Sequence, residues 1–244
     1  MRTSSTKTAL ITGANKGIGF EISRQIGRAG VTVLLGARDP VAGERAATIL
    51  GGEGLTVRFI AIDVRHPDSI SAAAAAIAAD FGRLDILVNN AGISDPSDGP
   101  PSAASLAAIE RLFRTNFLGA VAVTQAMLPL LRKSQAARIV NVSSGLGSLA
   151  QNGDLAYSSA ATKLLGYSAS KVALNMLTVQ LAYELRNTPI KVNSADPGYT
   201  ATDLNGHRGH QTIPEGAAEA IRLALLPDDG PTGTYSDSRG VVPW

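Results

Sequence analysis

The sequence predicts an α/β protein with a doubly wound parallel sheet of about seven strands and helices on both faces. Two observations predict it. Short β-branched runs alternate with alanine-rich amphipathic stretches along the chain, as in consecutive βαβ units. The first apolar run, Ala9-Leu10-Ile11, leads directly into a glycine-rich turn and then into a helical pattern. This order of strand, glycine turn and helix is typical of a Rossmann-type sheet.

The predicted strands are short and end where polar or glycine-rich residues begin. In chain order they are Thr8–Thr12, Val31–Ala37, Thr56–Ile62, Ile86–Asn89, Arg138–Val142, Lys191–Ala195 and a last one near Gly233–Ser236. Six helices are predicted in the intervals: Gly17–Ala29, Val41–Leu50, Ser69–Phe81, Leu106–Leu131, Leu165–Arg186 and Pro214–Leu225. Asp39 is expected to cap the second helix, because it stands just before Pro40. The alanine run 72–76 suits a helix, since alanine is the best helix former.

Two stretches with little regular pattern are predicted to be loops. Ser94–Ser102 holds three prolines, and Asp203–Thr212 is polar and rich in glycine. Ligands of open α/β sheets bind beyond the carboxyl ends of the strands, so both loops are expected on the binding side.

Composition narrows the class of protein. A chain of 244 residues with 45% hydrophobic content can bury one core, and a single domain over residues 1–244 is expected. The 22 basic and 20 acidic residues are scattered, which argues against a nucleic-acid partner. No cysteine is present, so disulfides and thiol nucleophiles are excluded. The short polar segment Met1–Lys7 and the lack of a long apolar run favour a cytoplasmic protein without a membrane partner.

Tyr167 and Lys171 stand one helical turn apart and form a candidate acid unit. A neighbouring ammonium stabilises phenolate, so the pair is expected to lower the pKa of the phenol from about 10. Upstream, the turn Gly13-x-x-x-Gly17-x-Gly19 can seat a pyrophosphate at a helix N-terminus. Together the two motifs indicate hydride transfer from a nicotinamide, with the proton supplied by Tyr167.

The glycine spacing and the motifs that follow it resemble the short-chain dehydrogenase/reductase family over nearly the whole chain. The further motifs are Asp63-Val64, Asn89-Asn90-Ala91-Gly92, Asn116, Ser144 and Pro197-Gly198-Tyr199-Thr200-Ala201-Thr202. The resemblance implies the following contacts to the cofactor: Gly13, Asn15, Lys16, Gly17, Ile18, Gly19, Arg38, Asp63, Val64, Asn90, Ala91, Gly92, Tyr167, Lys171, Pro197, Gly198, Thr200 and Thr202. Thr202 is favoured over Thr200, for which helix capping is the other interpretation.

The resemblance also implies roles for the catalytic residues. Ser144 and Tyr167 would bind the substrate carbonyl oxygen, Lys171 would hold the ribose, and Asn116 would serve a proton relay. Ser143 is an alternative to Ser144 by one step of register. The expected substrate wall is mostly apolar and consists of Ile93, Leu146, Leu149, Tyr199 and Leu204. His207, His210 and Asp203 are not expected to bind a metal, since a glycine-rich loop is a poor scaffold for one.

Tyr157 competes with Tyr167, because it lies 13 residues after Ser144, the usual separation in the family. Four residues beyond Tyr157 stands Ala161, whereas Lys171 follows Tyr167 at that spacing, so Tyr167 is preferred. An insertion then lies within Leu146–Gly166. This insertion and Asn15-Lys16 resemble the carbonyl-reductase branch of the family, which favours a monomer. Trp244 either packs back on the domain or closes over the substrate.

The end of the second strand indicates the nicotinamide cofactor. NAD-preferring proteins carry an acid there for the ribose hydroxyls, but this chain has Ala37-Arg38. Arg38 and Lys16 suit a 2′-phosphate, so NADP(H) is predicted. The sequence therefore predicts an NADPH-dependent reductase of a ketone, aldehyde or quinone. The alternatives are a 3-oxoacyl-thioester reductase, a sugar or steroid alcohol dehydrogenase, and a redox sensor that binds NADP without turnover.

Overall fold

All strands that the computed structural model describes, within residues 6–157 and 162–244, form one eight-stranded sheet. They are β1 Thr8–Thr12, β2 Thr32–Ala37, β3 Val57–Ala61, β4 Ile86–Asn89, β5 Arg138–Val142, β6 Lys191–Ala195, β7 Tyr235–Asp237 and β8 Gly240–Val241. The order across the sheet is β3-β2-β1-β4-β5-β6-β7-β8. Every pair is parallel except β7 and β8. The predicted Rossmann-type fold is confirmed.

Helices cover both faces of the sheet because neighbouring strand residues point to opposite sides. The helices are α1 Gly17–Arg28, α2 Pro40–Gly52, α3 Pro67–Phe81, α4 Leu106–Phe113, α5 Gly119–Leu131, α6 Leu149–Gly153, α7 Leu165–Glu184 and α8 Ile213–Ala224. On one face, Ala9 and Ile11 pack in a core with residues of α1, α2 and α8. On the other face, Leu10 packs with residues of α3, α5 and α7. None of the helices in the described ranges is long and apolar enough to cross a membrane.

The structure departs from the predicted elements in three places. An eighth strand, β8, pairs antiparallel with β7 at the sheet edge through two residues, too short a run to show a sequence pattern. A π-helical segment, Arg114–Leu118, interrupts the predicted helix Leu106–Leu131. The insertion 146–166 contains the short helix α6, while its residues 158–161 lie outside the described ranges. The remaining boundaries shift by one or two residues.

A buried polar ladder crosses the centre of the sheet. Asn89 at the end of β4 donates to Oδ1 of Asn141 on β5 (2.9 Å) and to Oγ1 of Thr124 on α5 (2.9 Å). Nδ2 of Asn141 donates to Oγ1 of Thr178 on α7 (2.8 Å), which in turn lies 2.7 Å from Oγ of Ser194 on β6. Buried polar groups need such partners. The ladder joins three strands to two helices directly beneath the strand ends where the predicted site residues stand.

Candidate active site

The candidate site lies where the strand order reverses. β1 and β4 are neighbours in the sheet, and the chain runs outward from them in both directions. Because the strands are parallel, the turns after β1, β4, β5 and β6 meet at one edge of the sheet, which is where ligands bind in this architecture. The predicted glycine turn, the Asn90-Ala91-Gly92 segment, Ser144 and the Pro197-to-Thr202 segment follow these four strands.

The glycine turn after β1 leaves the N-terminus of α1 open. Gly13 and Gly17 have φ values of 64° and 58°, in the left-handed region that glycine adopts without strain. A Cβ on Gly17 would have Thr202 Cγ2 as its nearest neighbour, at 3.9 Å. The residue just before α1, Lys16, supplies no side-chain cap in the described structure, and the first turn of α1 carries no acidic residue. An uncapped, positively polarised helix end beside an open glycine turn fits a pyrophosphate group.

Asn90 ties this turn to the end of β4. Its Nδ2 donates to the carbonyls of Thr12 (2.9 Å) and Gly13 (3.2 Å), and a Cβ on Gly19 would lie only 2.3 Å from the same nitrogen. The backbone N–H groups of Asn90 and Ala91 both donate to Thr12 Oγ1 at 3.0 Å. Gly19 is thus required for close packing, and Asn90 shapes the floor of the predicted cofactor cleft.

Ser144 and Tyr167 come together as predicted. The Ser144 side chain lies near enough to the Tyr167 phenol to favour its ionised form, and Ser144 Oγ accepts a hydrogen bond from Leu146 N at 3.3 Å. Ser143, the alternative by register, has its hydroxyl buried without a hydrogen-bond partner among the described residues. The geometry therefore favours Ser144 as the serine that faces the phenol.

Lys171 is buried beneath this pair. Its Nζ lies 5.8 Å from the centre of the Tyr167 ring and donates to the Val142 carbonyl at 2.8 Å. A Cβ on Gly92 would lie 3.6 Å from this Nζ and 3.5 Å from Asn116 Oδ1. The lysine and the asparagine thus face the same small gap beside Gly92.

Asn116 lies on the π-helical segment and is almost fully buried. Its Oδ1 accepts a hydrogen bond from Ile93 N (2.8 Å), and its Nδ2 donates to Ile93 O (3.1 Å) and to Ser170 Oγ (3.1 Å). π-Helical turns are frequent at functional sites. This one lets the amide join the end of β4 to the helix that carries Tyr167 and Lys171.

The expected lowering of the Tyr167 pKa is wrong for this structure. Desolvation of the phenol raises its pKa to about 12, against the opposing effect of the Ser144 hydrogen bond. Burial also lowers the pKa of Lys171 to about 8, and the nearby Asp196 carboxylate partly offsets this. Desolvation disfavours both charged forms, and the Asp196 carboxylate adds to the rise in the Tyr167 pKa. Tyr167 therefore keeps its proton at neutral pH.

Asp98 is a site residue that sequence reasoning missed. Its two carboxylate oxygens accept hydrogen bonds from Gly166 N (2.9 Å) and Tyr167 N (2.8 Å), and Leu165 N donates to Gly99 O (2.9 Å). The residue just before α7, Leu164, supplies no side-chain cap. A carboxylate from a remote loop thus caps the helix that carries Tyr167 and Lys171, a contact that has no local sequence signal.

The two cations predicted for a 2′-phosphate lie in different surroundings. Arg38 is exposed just beyond β2, and Asp39 caps α2 as predicted, accepting hydrogen bonds from Val41 N and Ala42 N. Lys16 Nζ instead pairs with Asp203 Oδ2 at 2.7 Å, and His207 Nε2 lies 2.8 Å from Asp203 Oδ1.

A cavity of about 470 Å³ adjoins the glycine turn and is lined in part by Asn15, Lys16, Asp39 and Arg45. Arg45 was not predicted, because it stands seven residues beyond Arg38, one turn into α2 and outside any family motif.

On the other side of the cleft, Asp63 accepts hydrogen bonds from Arg65, which lower its pKa to about 2. Asp63 is thus ionised and fixed, and the side chain of Val64, the next residue, packs against Gly119.

The segment after β6 holds two threonines, Thr200 and Thr202, whose surroundings differ. Gly198 has φ 66° and donates its N–H to Asp196 Oδ1 (2.9 Å), just past Pro197. Thr200 is buried and its hydroxyl donates to Pro197 O at 2.9 Å. Thr202 faces the glycine turn. Of the two, Thr202 is therefore the one placed to reach a ligand there.

The predicted substrate wall is partly exposed. Tyr199 and Leu204 are about half exposed, Leu149 is more so, and Ile93 and Leu146 are half-buried. The Tyr199 ring contacts His210 edge to face at 5.9 Å between ring centres.

Tyr157, the rival phenol, also lies near the serine, with its hydroxyl 2.6 Å from the point that a Cβ on Gly145 would occupy. Lys171, however, lies one turn from Tyr167 and stacks beneath its ring, which keeps Tyr167 as the preferred acid.

Comparison with known proteins decides the family. Residues 7–212 match the family model described as short chain dehydrogenase. The chain belongs to the short-chain dehydrogenase family.

Several short-chain dehydrogenases resemble this chain over nearly its whole length. Carbonyl reductase [NADPH] 1 from Mus musculus is 34% identical and (+)-neomenthol dehydrogenase from Capsicum annuum is 32% identical; the alignments cover 99% and 96% of this chain and the same shares of those proteins. The solved structure of NADPH-bound carbonyl reductase from chicken fatty liver superposes with a TM-score of 0.84 at 30% identity. That superposition covers 98% of this chain and 99% of the other. The chain is therefore an oxidoreductase of this family that resembles its carbonyl reductases.

Proposed function

We propose that this short-chain dehydrogenase reduces the carbonyl group of a ketone, aldehyde or quinone with NADPH, and that Tyr167 donates the proton. The observation that carries the proposal is that the Ser144 side chain lies beside the Tyr167 phenol, with Lys171 buried next to them. Two hydroxyls that lie side by side can both donate to one carbonyl oxygen. Such donors stabilise the charge that develops on that oxygen.

The raised pKa of Tyr167 suits the acid in a reduction. A phenol with a pKa of about 12 is protonated at neutral pH. The alkoxide that forms is about as basic as hydroxide and far more basic than a phenolate, so proton transfer from the phenol is still downhill. Nicotinamide supplies hydride when it is bound. The phenol and the Ser144 hydroxyl meanwhile hold the oxygen, and Lys171 with Asn116 borders the gap beside Gly92.

The residues of the cleft fit a phosphorylated dinucleotide. The open start of α1 suits the pyrophosphate, Thr202 lies across from Gly17, and Lys16 and Arg45 line one cavity near exposed Arg38. No acid stands at the end of β2 to accept ribose hydroxyls, since Asp39 is occupied in capping α2. Two relatives named for NADPH support the same cofactor.

The test follows the oxidation of NADPH and of NADH by absorbance, with a panel of ketones, aldehydes, quinones and 3-oxoacyl thioesters. We expect faster oxidation of NADPH than of NADH, and loss of at least about a hundredfold in the Tyr167→Phe variant. NADPH affinity, measured by fluorescence titration, should change little in that variant. The matched control is Tyr183→Phe, the same change at an exposed tyrosine on α7.

Other outcomes would replace the proposal. Turnover confined to acyl thioesters would indicate the 3-oxoacyl-thioester reductase. Tight NADPH binding without turnover of any carbonyl would indicate the redox sensor. A Tyr167→Phe variant as active as the Tyr183→Phe control would remove Tyr167 as the proton donor.

A further inference from the structure

The peptide unit that follows the active-site serine is held by a residue of β7, which lies two strands away from β5 in the sheet. The hydroxyl of Tyr235, on β7, donates a hydrogen bond to the Ser144 carbonyl oxygen. The N–H of that same peptide unit belongs to Gly145, which lies beside the Asp196 carboxylate and favours its ionised form. Asp196 Oδ2 lies 3.0 Å from the point that a Cβ on Gly145 would occupy. Both polar ends of the Ser144–Gly145 peptide thus meet a buried side chain.

Tyr235 is itself fixed in place. Its side chain is almost fully buried, and its ring stacks on Trp244 with 5.4 Å between ring centres and 25° between planes. The backbone oxygen of Tyr235 accepts a hydrogen bond from Val242 N (2.8 Å). A ring that is buried, stacked and tied at its backbone has few alternative rotamers, so its hydroxyl stays at one point.

Trp244 is anchored to the segment that follows the serine. Its carbonyl accepts a hydrogen bond from Ala150 N at 3.0 Å, and the carbonyl of Pro243 accepts one from Ser148 Oγ at 2.6 Å. Ser148 is fully buried and also caps α6, accepting a hydrogen bond from Gln151 N (3.0 Å). Residues 242–244 therefore connect Tyr235, which bonds the Ser144 carbonyl, to Ser148 and Ala150 at the beginning of the insertion.

We propose that Tyr235 is a positioning residue for the active-site serine: its hydroxyl, with Trp244 stacked on its ring, fixes the Ser144–Gly145 peptide and so aims the Ser144 hydroxyl at the substrate oxygen. Tyr235 does not touch substrate or cofactor in this scheme. It acts only through Ser144. The expected effect on kcat/KM rests on the proposed function, whereas the hold on the Ser144–Gly145 peptide does not.

The kinetic test is a double-mutant cycle between Tyr235→Phe and Ser144→Ala, read as kcat/KM for a carbonyl that the wild type reduces. Tyr235→Phe removes one hydroxyl and keeps the stacked ring, and we expect a loss of roughly tenfold in kcat/KM, mainly in kcat, the scale of one hydrogen bond. In the Ser144→Ala background the same change should cost less than about twofold, because the hydroxyl that it aims is absent. NADPH affinity should not change. Tyr183→Phe is the control.

An equal loss in both backgrounds would overturn the proposal, since Tyr235 would then act on stability or on another residue. Trp244→Ala provides a second variant, expected to lower kcat/KM in the same serine-dependent way.

A measurement without turnover keeps the inference separate from the proposed function. Hydrogen exchange at the Gly145 amide, followed by mass spectrometry of peptides that span residues 143–150, reports whether this peptide is held. We expect faster exchange in Tyr235→Phe than in wild type or in Tyr183→Phe. Unchanged exchange would overturn the inference whether or not the protein reduces carbonyls. Faster exchange in a protein that reduces no carbonyl would retain it while the proposed function fails.

Discussion

Lys171 is an ammonium group in a desolvated position, and its folded-state pKa of about 8 lies below the ordinary value near 10.5. Below pH 8 the lysine is protonated in both the folded and the unfolded chain. Between pH 8 and 10.5 the unfolded chain binds this proton and the folded protein does not, so the stability contributed at this site rises with pH. Above 10.5 both states are neutral and the contribution is constant.

The prediction compares wild type with Lys171→Met, which keeps a long apolar side chain. Unfolding in urea at several pH values should show the stability of wild type rising relative to the variant from pH 8 to pH 10.5, by up to about 3 kcal/mol. A difference that stays flat over this window would mean that Lys171 is not desolvated as the structure has it.

The sequence predicts which side chains lie close together when all of them belong to one short motif. The spacing of Tyr167 and Lys171 placed both groups on one helix, and the structure brings Ser144 to them. The direction of the Tyr167 pKa was not readable, because it depends on burial by segments distant in sequence. The roles of these residues in catalysis stay predictions until the variants are assayed.

Among the elements, α7 depends on a cap from another segment. Asp98 accepts hydrogen bonds from the first amides of this helix, including that of Tyr167. We expect Asp98→Ala to destabilise the protein by about 1 kcal/mol, the usual cost of a lost cap. The start of the catalytic helix should fray, so kcat should fall as well.

Thermal unfolding and steady-state kinetics check this expectation. Asp154→Ala is the matched control, because Asp154 accepts a hydrogen bond from Ala156 N in an exposed turn. Asp98→Asn keeps one acceptor oxygen and should lie between wild type and Asp98→Ala. Equal stability and equal kcat for the alanine variants at positions 98 and 154 would contradict the role of Asp98.

Periodicity predicted the helices and strands well, since each buries a continuous apolar face. It could not predict the π-helical segment, because the extra residue is accommodated by bonds from Asn116 to Ile93 and Ser170 rather than by a local pattern. Periodicity also could not predict the capping of α7 by Asp98 or the hydrogen bond from Tyr235 to Ser144, because neither contact leaves a local sequence pattern. Each joins groups that lie 68 or more positions apart in the chain.

At the scale of the whole molecule, the polar ladder beneath the site couples the sheet to the helices, and a variant at its centre tests this coupling. Asn141 stands at its centre and joins Asn89 to Thr178. Asn141→Leu keeps the size of the side chain but leaves buried polar groups without partners, which we expect to cost about 2 kcal/mol of stability. Urea unfolding measures it, with exposed Asn187→Leu as a control expected to stay within about 0.5 kcal/mol. Equal stability of the two variants would show that the ladder contributes nothing.

The contact between Tyr235 and Ser144 spans 91 positions of the chain. A ribosome that has released the chain only through β6 has already delivered the glycine turn, Asn116, Ser144, Tyr167 and Lys171. It has not yet delivered the side chain that holds the peptide after Ser144. During synthesis, then, a nascent chain can carry Asn116, Ser144, Tyr167 and Lys171 before the serine acquires its final orientation, and competence for catalysis would wait until β7 has been synthesised and has joined the sheet.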